Sequence, residues 1–150
     1  SPYKVLLKSE NGKEKLFKVF SNILMQALAV GEFLLIFMFD ADFKNADTQI
    51  EDLFNTVCSK MRSIKIEKRH EQVIVGDSVK GRLIKKCYEV MKIAGEKVEE
   101  FGKFVILVFD TSLEALVENM GLAKDASKNE IKKGIKELAS KININDFLCK

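Results

Sequence analysis

Residues 33–42 read FLLIFMFDAD, seven apolar residues followed by an aspartate, an alanine and a second aspartate. A short apolar run that is rich in aromatic residues and bounded by Gly31 and Asp40 predicts a central strand that is covered on both faces. Residues two apart on an extended chain point the same way, so we expect the carboxylates of Asp40 and Asp42 to face one site.

A helix is predicted on each side of this strand. Upstream, apolar residues recur every three or four positions over 13–31, after a short predicted strand at 3–9. Downstream, the same spacing predicts a helix over 48–63, where Thr48 and Glu51 form a capping-box pattern.

The second half of the chain alternates in the same way. Residues 64–75 predict one or two strands that suit an edge of the sheet, and 78–101 have the spacing of a long helix that Gly95 could interrupt. A second apolar run, FVILVF at 104–109, predicts another buried strand that again ends in an aspartate, Asp110. Two further helices are predicted over 112–120 and 127–141.

Strands that alternate with helices predict a three-layer α/β sandwich with a mostly parallel central sheet. The 150 residues suit a single domain spanning 1–150. Ligands of such sheets bind beyond the carboxyl ends of the strands. The acidic residues that follow predicted strands are Glu10, Asp40, Asp42 and Asp110.

Composition narrows the class of protein. The chain is 47% hydrophobic and 31% charged, and it has no apolar run near the roughly 20 residues that span a bilayer. We therefore expect a cytoplasmic protein without a membrane partner. The three cysteines are far apart in the sequence, which favours reduced thiols over a metal-thiolate site. The net charge of +3 and the local clusters of lysine and arginine fit either solvated faces or contact with a polyanion.

Convergent carboxylates repel each other unless a cation lies between them. Hard oxygen ligands such as Asp40 and Asp42 suit Mg²⁺ or Mn²⁺, with positions left open for water and phosphate. The alternative is that both are surface carboxylates of a turn.

The pattern VLLKSENGKEKLF at 5–17 followed by FLLIFMFDADFKN at 33–45 resembles the TOPRIM domain of primases, topoisomerases and OLD-family nucleases. In that family a strand ends in Glu before a glycine turn and a helix, and the next strand ends in Asp-x-Asp. The later stretch FDTSLE at 109–114 is similar to a Leu-Glu pair of small TOPRIM-like families.

The resemblance implies a TOPRIM-like fold and a role for each matching residue. Glu10 would transfer a proton, with Glu14 as the fallback, and Asp40 and Asp42 would bind magnesium. Asp110 would add a ligand or end its strand, while Glu114 would join the site or cap its own helix. Lysines that could contact nucleic-acid phosphates are Lys13, Lys44 and Lys80.

The function that these residues favour is Mg²⁺-dependent, nuclease-like action on the phosphodiesters of DNA or RNA. A non-catalytic TOPRIM-like module that binds nucleic acid or protein is the alternative. A phosphatase or a response-regulator receiver is a third possibility, in which Asp40 would be the nucleophile. The single histidine, His70, lies in the polar run EKRHEQ and is expected to be exposed.

Overall fold

The structure is a computed structural model that describes residues 13–30, 35–42, 44–76, 81–110, 112–119, 127–141 and 143–147. Its elements in chain order are α1 (Lys13–Val30), β1 (Leu35–Asp40), α2 (Ala46–Lys60), β2 (Ile64–Val75), β3 (Arg82–Ala94), β4 (Lys97–Asp110), α3 (Leu113–Asn119), α4 (Lys128–Lys141) and a 3-10 turn (Ile144–Phe147). No helix in these ranges is long and apolar enough to cross a membrane.

The four described strands form one mixed sheet in the order β1-β4-β3-β2. Only β1 and β4 run parallel, whereas β4 with β3 and β3 with β2 are antiparallel. The fold is α/β as predicted, but the prediction of a mostly parallel sheet is wrong. In the described part of 78–101, the hairpin of β3 and β4 replaces the predicted helix.

That hairpin lies where a long helix was predicted over 78–101. Arg82–Ala94 and Lys97–Asp110 are instead strands joined by a turn at Gly95, whose φ is +64°. Residues 83–88 of β3 are buried without a break because the sheet is covered on both faces. A strand of this kind lacks polar alternation, so its apolar residues can match helical spacing by chance.

Two apolar cores lie on opposite faces of the sheet. On one face, α1 and α2 pack against the inner side of β1, β3 and β4, with Phe20, Leu24 and Val57 fully buried. On the other face, Leu116 of α3 packs against alternate residues of β3 and β4. Residues 83–88 of β3 and 104–109 of β4 are covered on both faces, whereas in β1 the side chain of Met38 is 48% exposed. Strand β1 was predicted to be covered on both faces, but its burial is only partial.

Aromatic rings fill the first core around Phe104. Its ring centroid lies 5.4 Å from that of Tyr88, 5.8 Å from those of Phe20 and Phe54, and 6.3 Å from that of Phe37. Most of these pairs are edge-to-face, the geometry that the ring quadrupoles favour. Phe20 of α1 and both Phe37 and Phe39 of β1 are buried in this core.

Helix α2 begins earlier than predicted. Asn45 is its N-cap, and the Asn45 Oδ1 accepts hydrogen bonds from the backbone N–H groups of Asp47 and Thr48. The capping box predicted for Thr48 and Glu51 is therefore wrong. A cap requires extended backbone before the helix, and Asn45 has that conformation, whereas Thr48 is already inside the first turn.

The cysteines differ from each other. Cys58 is a free thiol on α2, and burial raises its pKa. Cys87 on β3 is buried and disulfide-bonded, so the prediction of reduced thiols is wrong at this position. Cys149 lies outside the described residues.

Candidate functional site

The carboxyl ends of β1 and β4 lie side by side at one edge of the sheet. Their parallel register pairs Asp40, the last residue of β1, with Phe109, and Asp110 ends β4 one residue later. Because β3 runs the opposite way, its first residue, Arg82, lies at the same edge beside Asp110. The prediction that Asp40 and Asp110 follow the ends of strands is confirmed.

Asp40 is half-buried, and the first residue of α3 orients its carboxylate. The backbone N–H of Leu113 donates to Asp40 Oδ1 at 3.1 Å. This hydrogen bond satisfies one of the N–H groups that the first turn of a helix leaves without an intrahelical partner. It also restricts the rotation of the Asp40 carboxylate, as hydrogen bonds do for carboxylates that ligate metals.

Asp42 lies in a turn directly after β1 and is exposed. Its φ of 55° is in the left-handed region, which aspartate tolerates better than most residues. The turn is held by hydrogen bonds from the backbone N–H of Lys44 and from Gln49 Nε2 to the carbonyl of Ala41, each at 3.1 Å. The prediction that Asp40 and Asp42 point the same way assumed an extended chain, and this backbone conformation contradicts that assumption.

Asp110 forms an ion pair with Arg82 at the same edge. Arg82 Nη2 lies 2.9 Å from Asp110 Oδ2, and both side chains are half-buried. In the pleat of the sheet, Asp110 shares the face of Arg82, whereas Asp40 shares the face of Phe109. Asp40 and Asp110 therefore leave their strands towards opposite faces. Arg82 Nε is buried and has no hydrogen-bond partner among the described residues.

The other predicted site residues are described only in part. Lys44 is exposed in the turn after Asp42. Glu10 and Lys80 lie outside the described residues, as do the side chains of Lys13, Glu14 and Glu114. Among the described side chains, no group of three or more His, Cys, Asp or Glu residues could hold a metal ion. Of the residues predicted to bind the cation and a phosphate, the structure therefore describes Asp40, Asp42 and, two residues later in the sequence, Lys44.

A serine side chain caps the start of α3. The Ser112 Oγ accepts a hydrogen bond from the backbone N–H of Ala115 at 3.1 Å. The side chain of Glu114, which was expected to join the site or to cap this helix, lies outside the described residues.

A buried lysine on β3 was missed by the sequence analysis. The side chain of Lys86 is 3% exposed, and its Nζ lies 2.6 Å from Asp47 Oδ1 of α2 and 2.5 Å from Glu71 Oε1 of β2. We call Lys86, Asp47 and Glu71 the Lys86 cluster. The only signal in the sequence was a pair of lysines inside the apolar stretch LIKKCY at 83–88, which was assigned to a helix.

Charge pairing dominates the protonation of this cluster. Burial acts to lower the pKa of Lys86, but hydrogen bonds to Asp47 and Glu71 outweigh it and raise that pKa. The hydrogen bonds from Lys86 in turn lower the pKa values of both carboxyl groups. Burial raises the pKa of the neighbouring Tyr88, with a smaller contribution from the two carboxylates. All three members of the cluster are therefore charged near neutral pH, which fits a structural ion cluster better than an acid–base pair.

The outer strand β2 carries exposed polar and charged side chains. His70 lies on the outer strand β2 and is exposed, as predicted. Neighbouring charges on β2 form ion pairs with each other and with β3, including Arg69 Nε with Glu89 Oε2 at 2.6 Å. His70 is therefore on a solvated strand surface away from the carboxyl edge.

Comparisons of the chain with protein-family models, with curated proteins and with solved structures gave no match. The TOPRIM resemblance consequently stays a prediction from the quoted motifs.

Proposed function

We propose that the carboxyl edge of the sheet is a divalent-cation site at which the protein acts on nucleic-acid phosphodiesters. The observation that carries the proposal is the position of Asp40. This carboxylate ends a strand of the parallel pair, is oriented by the Leu113 N–H, and is followed two residues later by the exposed carboxylate of Asp42.

The two aspartates fit Mg²⁺ or Mn²⁺ by donor type. Both cations prefer oxygen ligands, and Mg²⁺ typically uses one or two carboxylates while substrate phosphates and water supply the remaining positions. A group of three protein carboxylates is therefore not required. This preference also implies that the cation binds more tightly when a phosphodiester is present.

Each residue has a proposed role. Asp40 and Asp42 would hold the cation, which would offset the negative charge of the phosphodiester and polarise one of its oxygens. Lys44, exposed in the same turn, would contact a phosphate of the backbone. Glu10 is proposed as the residue that transfers a proton, with Glu14 as its replacement.

Calorimetric titration with Mg²⁺ and Mn²⁺ tests the proposal, with and without a nuclease-resistant oligonucleotide. We expect saturable binding by the wild-type protein that strengthens when the oligonucleotide is present. Asp40→Asn and Asp42→Asn should each weaken it at least tenfold, because each removes one of the two charged ligands. Asp52→Asn is the matched control, since Asp52 is an exposed carboxylate on α2 and its substitution changes the net charge equally.

Binding that Asp52→Asn weakens as much as the other two substitutions would show non-specific charge screening. An absence of saturable binding under both conditions would rule out the cation site. A stable adduct of beryllium fluoride with the Asp40 carboxylate would instead support the phosphatase or receiver alternative.

A second candidate function is non-catalytic binding of nucleic acid or protein. It is favoured by the structural interactions of the acidic residues at the edge: Asp40 is bonded to the start of α3, and Asp110 is paired with Arg82. This candidate predicts that Asp40→Asn lowers stability but leaves the affinity for partners unchanged in the absence of metal. Measuring both properties on one variant separates the two functions.

A further inference from the structure

Helix α4 has an uneven distribution of charge around its axis. Its inner side is formed by Ile131 and Ile135, which are half-buried, and by Gly134, which is buried. The helix also contacts α3. The rest of its described surface is exposed, so any function of that surface depends on the side chains that it presents.

Three exposed lysines form a row along one flank of α4. Successive residues advance about 100° around a helix, so Lys128, Lys132 and Lys136 lie one above another on one side of the isoleucines. Glu130 and Glu137 fall on the other flank together with Lys133, which is about one turn from each of them. We call Lys128, Lys132 and Lys136 the α4 basic flank.

Among the residues that the structure describes, no carboxylate forms an ion pair with a lysine of this flank. The ion pairs of the described residues lie elsewhere, on α2, β2, β3 and β4, and their acidic members are Asp47, Glu67, Glu71, Glu89, Glu100 and Asp110. On α4 itself, Glu130 Oε1 is engaged by the Ser127 hydroxyl at the start of the helix. The flank is therefore a concentrated positive charge on a protein whose net charge is only +3.

The spacing and the composition of the flank indicate its partner. Four residues of helix rise about 6 Å, so the row presents ammonium groups at a regular spacing along one line. A membrane-surface helix would need apolar side chains to insert beside its lysines, but the isoleucines of α4 are on its packed side. No aromatic residue on α4 could stack on bases. The flank suits the phosphates of a nucleic-acid backbone.

We propose that the α4 basic flank binds the sugar-phosphate backbone of nucleic acid without regard to base sequence. None of its lysines is among the residues proposed to hold the cation, and a contact between lysine and phosphate needs no metal, so the inference does not rest on the function proposed above. Because each lysine that neutralises a phosphate releases counterions, the affinity must fall steeply with salt.

Fluorescence anisotropy with labelled duplexes and single strands of mixed sequence tests the proposal, in EDTA and between 50 and 200 mM KCl. The substitutions are Lys128→Gln, Lys132→Gln and Lys136→Gln combined. They should lower the affinity about tenfold or more and reduce the slope of log affinity against log salt by about 3, one for each lost contact. The loss should be equal for unrelated base sequences.

The matched control combines Lys92→Gln, Lys97→Gln and Lys103→Gln, three exposed lysines of the β3–β4 hairpin that give the same change in net charge. It should leave the salt slope within about 1 of the wild-type value. Equal losses in both triple variants would overturn the proposal, because net charge alone would then explain the binding. Binding that is absent in the wild-type protein, or found only with anionic lipid vesicles, would also overturn it. Circular dichroism verifies that both variants are folded.

Discussion

Gly76 and Gly95 both have positive φ angles, +101° and +64°, but only Gly76 lies against another stretch of backbone. A Cβ atom at Gly76 would lie 2.6 Å from the carbonyl oxygen of Gly81, whereas nothing lies within 4 Å of one at Gly95. Glycine is favoured at Gly76 both by the left-handed backbone and by the close carbonyl of Gly81. At Gly95 it is favoured only by the left-handed backbone of the hairpin turn.

Alanine substitutions separate these two reasons. Gly95→Ala should cost about 1–2 kcal/mol of unfolding free energy, the price of a left-handed backbone for a residue with a Cβ atom. Gly76→Ala should cost more, because the carbonyl of Gly81 must also move. Urea denaturation of both variants measures the difference. Equal losses would show that the contact with Gly81 relaxes freely.

At the residue scale, the position of Asp40 at a strand end could be predicted from the sequence, but the direction of the Asp42 side chain could not. The end of an apolar run is visible in the residue types, so the acidic strand end was predicted correctly. The left-handed backbone at Asp42 depends on the turn that Ala41 forms with Lys44 and Gln49, and these contacts are made only in the folded chain. Arg82 was missed as a site residue because its pairing with Asp110 spans 28 positions.

At the element scale, the Lys86 cluster joins β3 to α2 and β2. Lys86 is buried, whereas Asp47 is 67% exposed and can be rehydrated if its partner is lost. Removing the lysine and removing the acids should therefore have unequal costs. An ammonium left buried without a partner is much less favourable than two carboxylates left near water.

We expect the pair Asp47→Asn and Glu71→Gln to lower the unfolding free energy at pH 7 by about 3 kcal/mol, near the low end for breaking a buried ion pair. Lys86→Met should cost less, because its apolar chain fills the same space. Urea denaturation at pH 7 provides both values. A larger loss for Lys86→Met would contradict the view that the buried ammonium determines the cost.

The same cluster sets a pH dependence. The pKa values of Asp47 and Glu71 are lowered in the folded state, so their contribution is full above their ordinary values of 3.8 and 4.5 and is lost as pH falls through the folded values. The pKa of Lys86 is raised above 10.5, so its contribution is lost only at higher pH. In Lys86→Met, unfolding free energy measured from pH 6 to pH 3 should therefore decline less steeply than in the wild-type protein.

The incorrect prediction of a helix over 78–101 also has its cause at the scale of secondary-structure elements. Residues 83–88 are apolar apart from two lysines, and a strand covered on both faces shows no period of two. Helices α1, α3 and α4 were predicted within a residue or two because each has one polar side, which preserves the helical period.

At the scale of the whole molecule, β4 connects the two cores. Phe104 and Leu107 are three residues apart, so they are fully buried on opposite faces of the strand. Phe104 lies among the aromatic rings below α1 and α2, and Leu107 lies near Leu116 of α3. A strand shared by both cores should make them unfold together.

We therefore expect Phe104→Leu and Leu107→Val each to lower the unfolding free energy by about 1–2 kcal/mol while keeping one cooperative transition. Far-ultraviolet circular dichroism and tyrosine fluorescence should report the same midpoint in each variant. Val98→Ala is the control, because Val98 is 59% exposed and its truncation should change stability by about 0.5 kcal/mol or less. Midpoints that differ between the two probes would show that the cores unfold separately.

The sequence by itself determined the α/β class, the existence of β1 and β4, the helices with one polar side, and the acidic residues at two strand ends. Each of these depends on residue types that are neighbours along the chain. The tertiary structure alone decided the mixed sheet, the hairpin of β3 and β4, the burial of Lys86 and the separation of Asp40 from Asp110 to opposite faces. These features depend on which strands pair and in which register, and such long-range contacts leave no periodic trace in a single sequence.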